Sequence, residues 1–164
     1  MCDLKQKIDK LFEDQKMSVY EAAKQLGVSE FEVLKHRGKD EFKLIGSEHL
    51  EKIFEELSSW GEMNFIKNTP EFIIEIKVKV SSPKKAQGYL NFCGKSGFLG
   101  GHLKKDAIAN IGFASTKFMG MLGHSLHFYG KDNNIIFKLY INRDEKHNLD
   151  SEQEKKFFAL KDSF

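Results

Sequence analysis

Cysteine and proline are scarce, with two of each in 164 residues. Cys2 and Cys93 are isolated thiols without Cys-x-x-Cys spacing, which argues against a disulfide framework or a zinc site and for a reduced, cytoplasmic protein. So few prolines argue against long extended linkers. Charge of one sign is missing too: 26 basic against 24 acidic residues leave a net +2, whereas phosphate binding needs many concentrated cations. No stretch approaches the roughly 20 apolar residues of a membrane helix. Met1 to Lys10 mixes charged and apolar residues, so the pattern of a signal peptide is absent. Tryptophan occurs once and tyrosine four times, yet phenylalanine occurs 15 times. That skew points to a greasy core, a greasy pocket or both.

The first 60 residues read as helical. Leu4, Ile8, Leu11 and Phe12 recur at helical spacing. Ser18 and Glu21 make a capping-box pair before a second helix, which Gly27 ends. Ser29 starts a third helix through Phe31, Val33 and Leu34. Ser47 opens a fourth, with Leu50, Ile53, Phe54 and Leu57 on one face, ending near Trp60-Gly61. The period then switches to two. Phe72, Ile74, Ile76, Val78 and Val80 alternate with Glu75, Lys77 and Lys79, which predicts a strand with one wet face. Ser81-Ser82-Pro83 breaks it. Further strands are expected at Tyr89 to Gly94, Ala107 to Ser115, His124 to Gly130 and Ile135 to Asn142. Lys131 to Asn134 is turn chemistry joining the last two as a hairpin. Ser151 to Leu160 reads as a closing helix, with Phe157, Phe158 and Leu160 available for packing. Helices followed by strands predict an α+β fold with a largely antiparallel sheet. The division is a helical region over 1–60 and a β-rich domain with a C-terminal helix over 61–164.

Several segments carry possible chemistry. Tyr20 to Ser29 has the small residues and glycine turn of a helix-turn-helix, as a structural hairpin or a DNA reader. The second helix carries Glu30 and Glu32, which would repel phosphates. Gly94-Lys95-Ser96 lacks the glycine that a phosphate-binding loop needs at position 89, where Tyr89 stands. The glycines from 94 to 101 would let backbone approach either backbone or a ligand closely. His124 and His127, three apart on a strand, point to opposite faces and make a poor zinc pair. His102 follows the glycine run and precedes Lys104 and Lys105, so it stands out among six histidines. Lys117-Phe118-Met119-Gly120-Met121 would suit either a core or the wall of a flat apolar ligand. Cys93 reads as a buried strand cysteine. No nucleophile–base order or paired-carboxylate setting suggests catalysis. From residues alone this is an α+β domain without a named function.

From Trp60 to the C-terminus, short motifs follow one another at a recognisable spacing. They are Trp60-Gly61 followed by a strand, then Gly88-Tyr89-Leu90-Asn91-Phe92-Cys93-Gly94-Lys95, then Gly97 and Gly101-His102-Leu103-Lys104. Lys117-Phe118-Met119-Gly120-Met121, Ser125-Leu126-His127-Phe128, Lys138 to Asp144, and Leu149 with Gln153 and Phe157 complete the series. This stretch resembles the HutX/ChuX-type heme utilization carriers of bacteria, and the helical hairpin before it fits the same family. Asn68 stands where some members carry a histidine.

The resemblance implies a cytosolic, non-enzymatic heme carrier that accepts imported heme and delivers it to a heme-degrading enzyme. It also implies a fold like one half of the two-repeat hemin-degrading proteins, a homodimer, no nucleic-acid partner and no membrane insertion. Heme presents an apolar disc, an iron and two carboxylates. On this likeness His102 or Tyr89 is the iron ligand, Lys95, Lys104, Lys117 and Arg143 are candidate propionate partners, and Met119 and Met121 are wall. The alternatives are a heme-degrading or heme-modifying enzyme, or a binder of another flat anionic ligand such as a linear tetrapyrrole or flavin.

Overall fold

The computed structural model describes residues 3–164; Cys2 lies outside them. Three short helices come first: α1 (Leu4–Leu11), α2 (Val19–Leu26) and α3 (Glu30–Lys35). The capping box forms. The Glu21 N–H donates to Ser18 Oγ at 3.1 Å, and the Ser18 N–H donates to Glu21 Oε2 at 3.3 Å. Gly27 ends α2 in the left-handed region, φ 66°, which a residue without a Cβ adopts at little cost. The Ser29 hydroxyl accepts from the Glu32 N–H at 3.1 Å and starts α3.

The chain then departs from the helical expectation. Phe42–Gly46 is a strand, β1, paired antiparallel with β7 in the register Phe42 with Ala114 and Gly46 with Asn110. Five residues between helices carry too little periodicity to declare themselves, and pairing with a distant strand decides their conformation. A single 3-10 turn, Ser47–His49, leads into α4 (Leu50–Leu57). The strands that follow are β2 (Glu62–Asn68), β3 (Ile73–Lys79), β4 (Lys84–Ala86), β5 (Tyr89–Phe92), β6 (Gly101–Lys104), β7 (Asn110–Phe118), β8 (Met121–Tyr129) and β9 (Ile135–Tyr140). The last element is α5 (Ser151–Asp162), capped by the Asp150 carboxylate. Six strands make one sheet in the order β1-β7-β8-β9-β2-β3, and β4-β5-β6 make a second. Every strand pair is antiparallel. Gly130 and Asn134 close the expected β8–β9 turn through a 2.9 Å backbone bond.

Alternation along β7 and β8 feeds two cores. On one face Ile111, Phe113, Leu126 and Phe128 meet α4, α5 and the inner side of the small sheet. On the other, Ala114 and Tyr129 meet Phe42 and the N-terminal helices through Ile8, Ala22, Phe31 and Leu34. Gln153 ties α5 down. Its amide nitrogen donates to the Trp60 and Glu62 carbonyls at 2.9 and 2.6 Å, and its oxygen accepts from the Asn142 N–H at 2.7 Å. Phe157 is fully buried, whereas Phe158 stays partly exposed beside the His124 ring.

The alternating stretch at 72–80 is an edge strand covered only at its far end. Val78 and Val80 are buried, but Phe72, Ile73 and Ile76 are 65%, 60% and 49% exposed. The apolar face predicted there is therefore only half covered.

The helix carrying Glu30 lies on the sheet. Phe31 and Val33 are buried, and the Lys138 ammonium donates to Glu30 Oε2 at 2.7 Å with both side chains largely shielded. Removing one partner strands a buried charge, whereas removing both does not. Glu30→Ala should therefore lower unfolding free energy by about 3–5 kcal/mol in urea titrations. Adding Lys138→Met should recover most of that loss.

Candidate functional site

The small sheet has a dry face and a wet face. Leu90 and Phe92 of β5 point into the core, 1% and 9% exposed. Alternation sends Tyr89 and Asn91 the other way. The β5–β6 register places Tyr89 opposite Lys104 and Asn91 opposite His102. β4 adds Lys84 opposite Asn91 and Ala86 opposite Tyr89. The outer face thus presents a phenol, an imidazole, an amide and two ammonium groups. The rings of Tyr89 and His102 meet edge to face with centres 6.3 Å apart. His102 Nδ1 lies 2.6 Å from Asn91 Oδ1. Lys85 belongs to the opposite parity and pairs with Glu51 of α4 at 2.5 Å. The platform offers one nitrogen and one oxygen ligand, cations at its margins and an open approach.

The glycine-rich connection between β5 and β6 closes on itself. A Cβ on Gly94 would come within 2.9 Å of the Gly100 Cα, and the converse holds. Backbone approaching backbone is thus what these two glycines serve. The loop docks on the end of β3: the Lys79 N–H donates to the Gly97 carbonyl at 3.0 Å, and the Leu99 N–H donates to the Lys79 carbonyl at 2.8 Å. Lys95 is exposed on this loop. Cys93 is exposed, not buried, because β5 ends one residue earlier.

The other expected site residues lie elsewhere. Lys117, Met119 and Met121 sit at the tip of the β7–β8 hairpin, with Met119 72% exposed. Lys117 donates to Gln15 Oε1 at 2.9 Å. Tyr89 pairs with Lys104, six residues before β7 begins, whereas this tip ends β7. Nine strand residues span roughly 30 Å. Arg143 donates to the His147 carbonyl at 2.7 Å and also to the Leu122 carbonyl, stapling the loop after β9 to the β8 hairpin. One chain therefore unites Tyr89, His102 and Lys104, with Lys95 on the adjoining loop, and holds Lys117, Met119, Met121 and Arg143 apart. Sequence reasoning passed over Lys84 and Asn91. Strand parity around Leu90 and Phe92 was the available signal for Asn91; β4 is too short to have given one for Lys84.

His124 and His127 face opposite sides of the sheet, as their spacing predicts. His124 is held between Ser115 Oγ at 2.8 Å and Glu154 Oε1 at 3.0 Å. His127 is held between Ser125 Oγ and Tyr129 Oη, both at 2.9 Å. All four ring nitrogens are engaged, so neither histidine offers a ligand atom. Burial lowers both pKa values, that of His127 far below 6.5, with the Lys138 charge adding to the effect. Burial likewise raises the Tyr129 phenol. Among the described residues no three His, Cys, Asp or Glu side chains converge as a metal cluster. Among the described residues no helix is long and apolar enough to cross a membrane.

Comparison with known proteins places these features. Residues 43–160 match the profile of the family Haem utilisation ChuX/HutX. The intracellular heme transport protein HutX of Vibrio cholerae is 34% identical over 98% of this chain and 83% of its own length. A crystal structure of a protein from Erwinia carotovora superposes with a TM-score of 0.88 at 25% identity, covering 99% of both chains. Apo-PhuS, a heme-binding protein from Pseudomonas aeruginosa, shares the fold at a TM-score of 0.78 and 15% identity. That match covers 96% of this chain but 46% of PhuS.

The two buried histidines generate a pH dependence. Each takes up a proton less readily in the fold than in the unfolded chain, where histidine titrates near 6.5, so the unfolded chain binds more protons in acid. Stability should fall as pH drops through about 6.5. Urea midpoints measured from pH 5 to 8 should rise with pH, and His127→Gln should flatten the slope.

Proposed function

The chain belongs to the ChuX/HutX heme utilisation family, and from that membership we propose that it is an intracellular heme carrier whose cargo lies on the outer face of the small sheet. The observation that supports this most is the edge-to-face contact of half-buried Tyr89 with exposed His102 on one strand platform. Phenolate oxygen and imidazole nitrogen are both iron ligands of heme proteins. Since the two rings rise from the same face, one of them would hold the iron and the other would stand beside it. A cargo on this open platform would remain accessible to a recipient, which suits handover to a heme-degrading enzyme. Lys84, Lys95 and Lys104 supply cations for the propionates. Carrying, not degrading, is the role: the platform leaves the heme exposed, and a relative of 34% identity is named for transport.

The same reading includes a homodimer. The exposed Phe72, Ile73 and Ile76 at the β3 edge fit a second copy, and the match to about half of PhuS fits two copies standing where a longer chain has both parts. By light scattering, Ile76→Glu should shift the mass towards one chain while leaving the circular dichroism unchanged.

Hemin titration followed by absorbance tests the carrier. A saturating shift near one heme per chain is expected. His102→Ala or Tyr89→Phe should weaken it by tenfold or more, about 1.4 kcal/mol, and change the iron spectrum, while Met119→Ala should change it little. Absence of a saturable shift, or identical spectra in all variants, would overturn the assignment of this platform.

A further inference from the structure

We propose that Asn91 is a positioning residue that fixes the tautomer of His102, leaving the outward Nε2 as a bare lone pair ready for iron. The inference rests on the carrier reading above for its purpose, but the tautomer follows from hydrogen-bond geometry alone. The Asn91 amide nitrogen faces three backbone carbonyls: Lys84 O at 3.0 Å, Ala86 O at 3.3 Å and Tyr89 O at 3.4 Å. Carbonyl oxygens only accept hydrogen bonds, so the NH2 group must occupy that side. The other side of the amide, Oδ1, is therefore an acceptor, and it sits 2.6 Å from His102 Nδ1. A contact that short between two acceptors would be repulsive, so Nδ1 carries the hydrogen. In a neutral imidazole the second nitrogen is then unprotonated.

The arrangement is anchored at both ends. The carbonyls that orient the amide belong to β4 and to Tyr89, so the edge strand of the small sheet, the phenol-bearing strand and the imidazole share one bonded group. His102 is exposed while its Nδ1 is turned inward to Asn91, so the lone pair on Nε2 lies on the open side of the platform. Ligating histidines elsewhere use the same logic: a partner on the second ring nitrogen sets ring orientation and raises ligand basicity. Here the partner is a neutral amide. It orients the ring without adding a charge, which suits a carrier that must also release its cargo.

Nitrogen-15 NMR of the His102 ring in the cargo-free protein tests the tautomer directly. A protonated Nδ1 and a pyridine-like Nε2 are expected in the neutral ring; the opposite tautomer would overturn the proposal. In Asn91→Leu the Nδ1–H preference should be lost and hemin affinity should fall about 10- to 100-fold, the range for such supporting partners. Asn91→Asp keeps an acceptor for Nδ1–H and should retain the tautomer, while its second oxygen, set against the three carbonyls that the NH2 now serves, should lower the unfolding midpoint. A folded Asn91→Leu protein with unchanged ring shifts and unchanged hemin spectrum would show that Asn91 only holds β4. If the leucine variant does not fold, the ring measurement on the unaltered protein still decides. If the unaltered protein binds no hemin, the carrier reading fails while the tautomer result stands by itself.

Discussion

The aromatic clamp around Phe54 holds the two sheets in their working relation. Its ring stacks on Phe128 of the large sheet, centres 5.4 Å apart and nearly parallel, and meets Phe92 of the small sheet edge to face at 4.9 Å. Phe128 in turn stacks on Phe137 at 4.3 Å. Burying Phe92 and Leu90 sets the parity of β5. A slip of one residue would turn Tyr89 and Asn91 into the core and bring Leu90 and Phe92 to the surface, so burial of two apolar side chains enforces the outward display of two polar ones. Every feature of the platform depends on that parity: the pairing of Asn91 with His102, the adjacency of Tyr89, and Lys84 and Lys104 at the margins.

The opposite face of the large sheet is organised by polar groups. His127, Ser125 and Tyr129 bond to one another beneath the N-terminal helices, and Lys138 meets Glu30 from α3. Hydrogen-bonded polar groups contribute little net stability, but leaving one unpaired in the interior is expensive. The network therefore selects one docking position for the helices more than it strengthens the fold. The helix that would read a groove has spent Phe31, Val33 and Glu30 on the sheet.

The family likeness and the physics of the site meet at a small number of residues. Gly94 and Gly100 allow a narrow loop neck, which lets β6 return beside β5 and brings His102 opposite Asn91. Arg143, read in sequence beside the heme motifs, instead staples the hairpin that carries Met121 and Leu122.

Local periodicity and capping wrote several features directly into the chain. The Ser18–Glu21 box, the Gly27 stop, the apolar face of α4, the β8–β9 turn and the opposed faces of His124 and His127 were all legible, because each depends on residues within a few positions. The α+β class and the family likeness followed from their order. Tertiary structure alone decided that Phe42–Gly46 is a strand, since its partner lies about 70 residues away in β7. It decided that β4 and β6, three and four residues long, form at all, since strands so short depend on cross-strand pairing. It also decided that the Ile76 face remains open, because what covers a strand is set by elements distant in sequence. Above all, it separated Tyr89 and His102 from Met119, Met121 and Arg143 and joined His102 to Asn91. Strand register is a long-range agreement between backbones, and no single segment carries it.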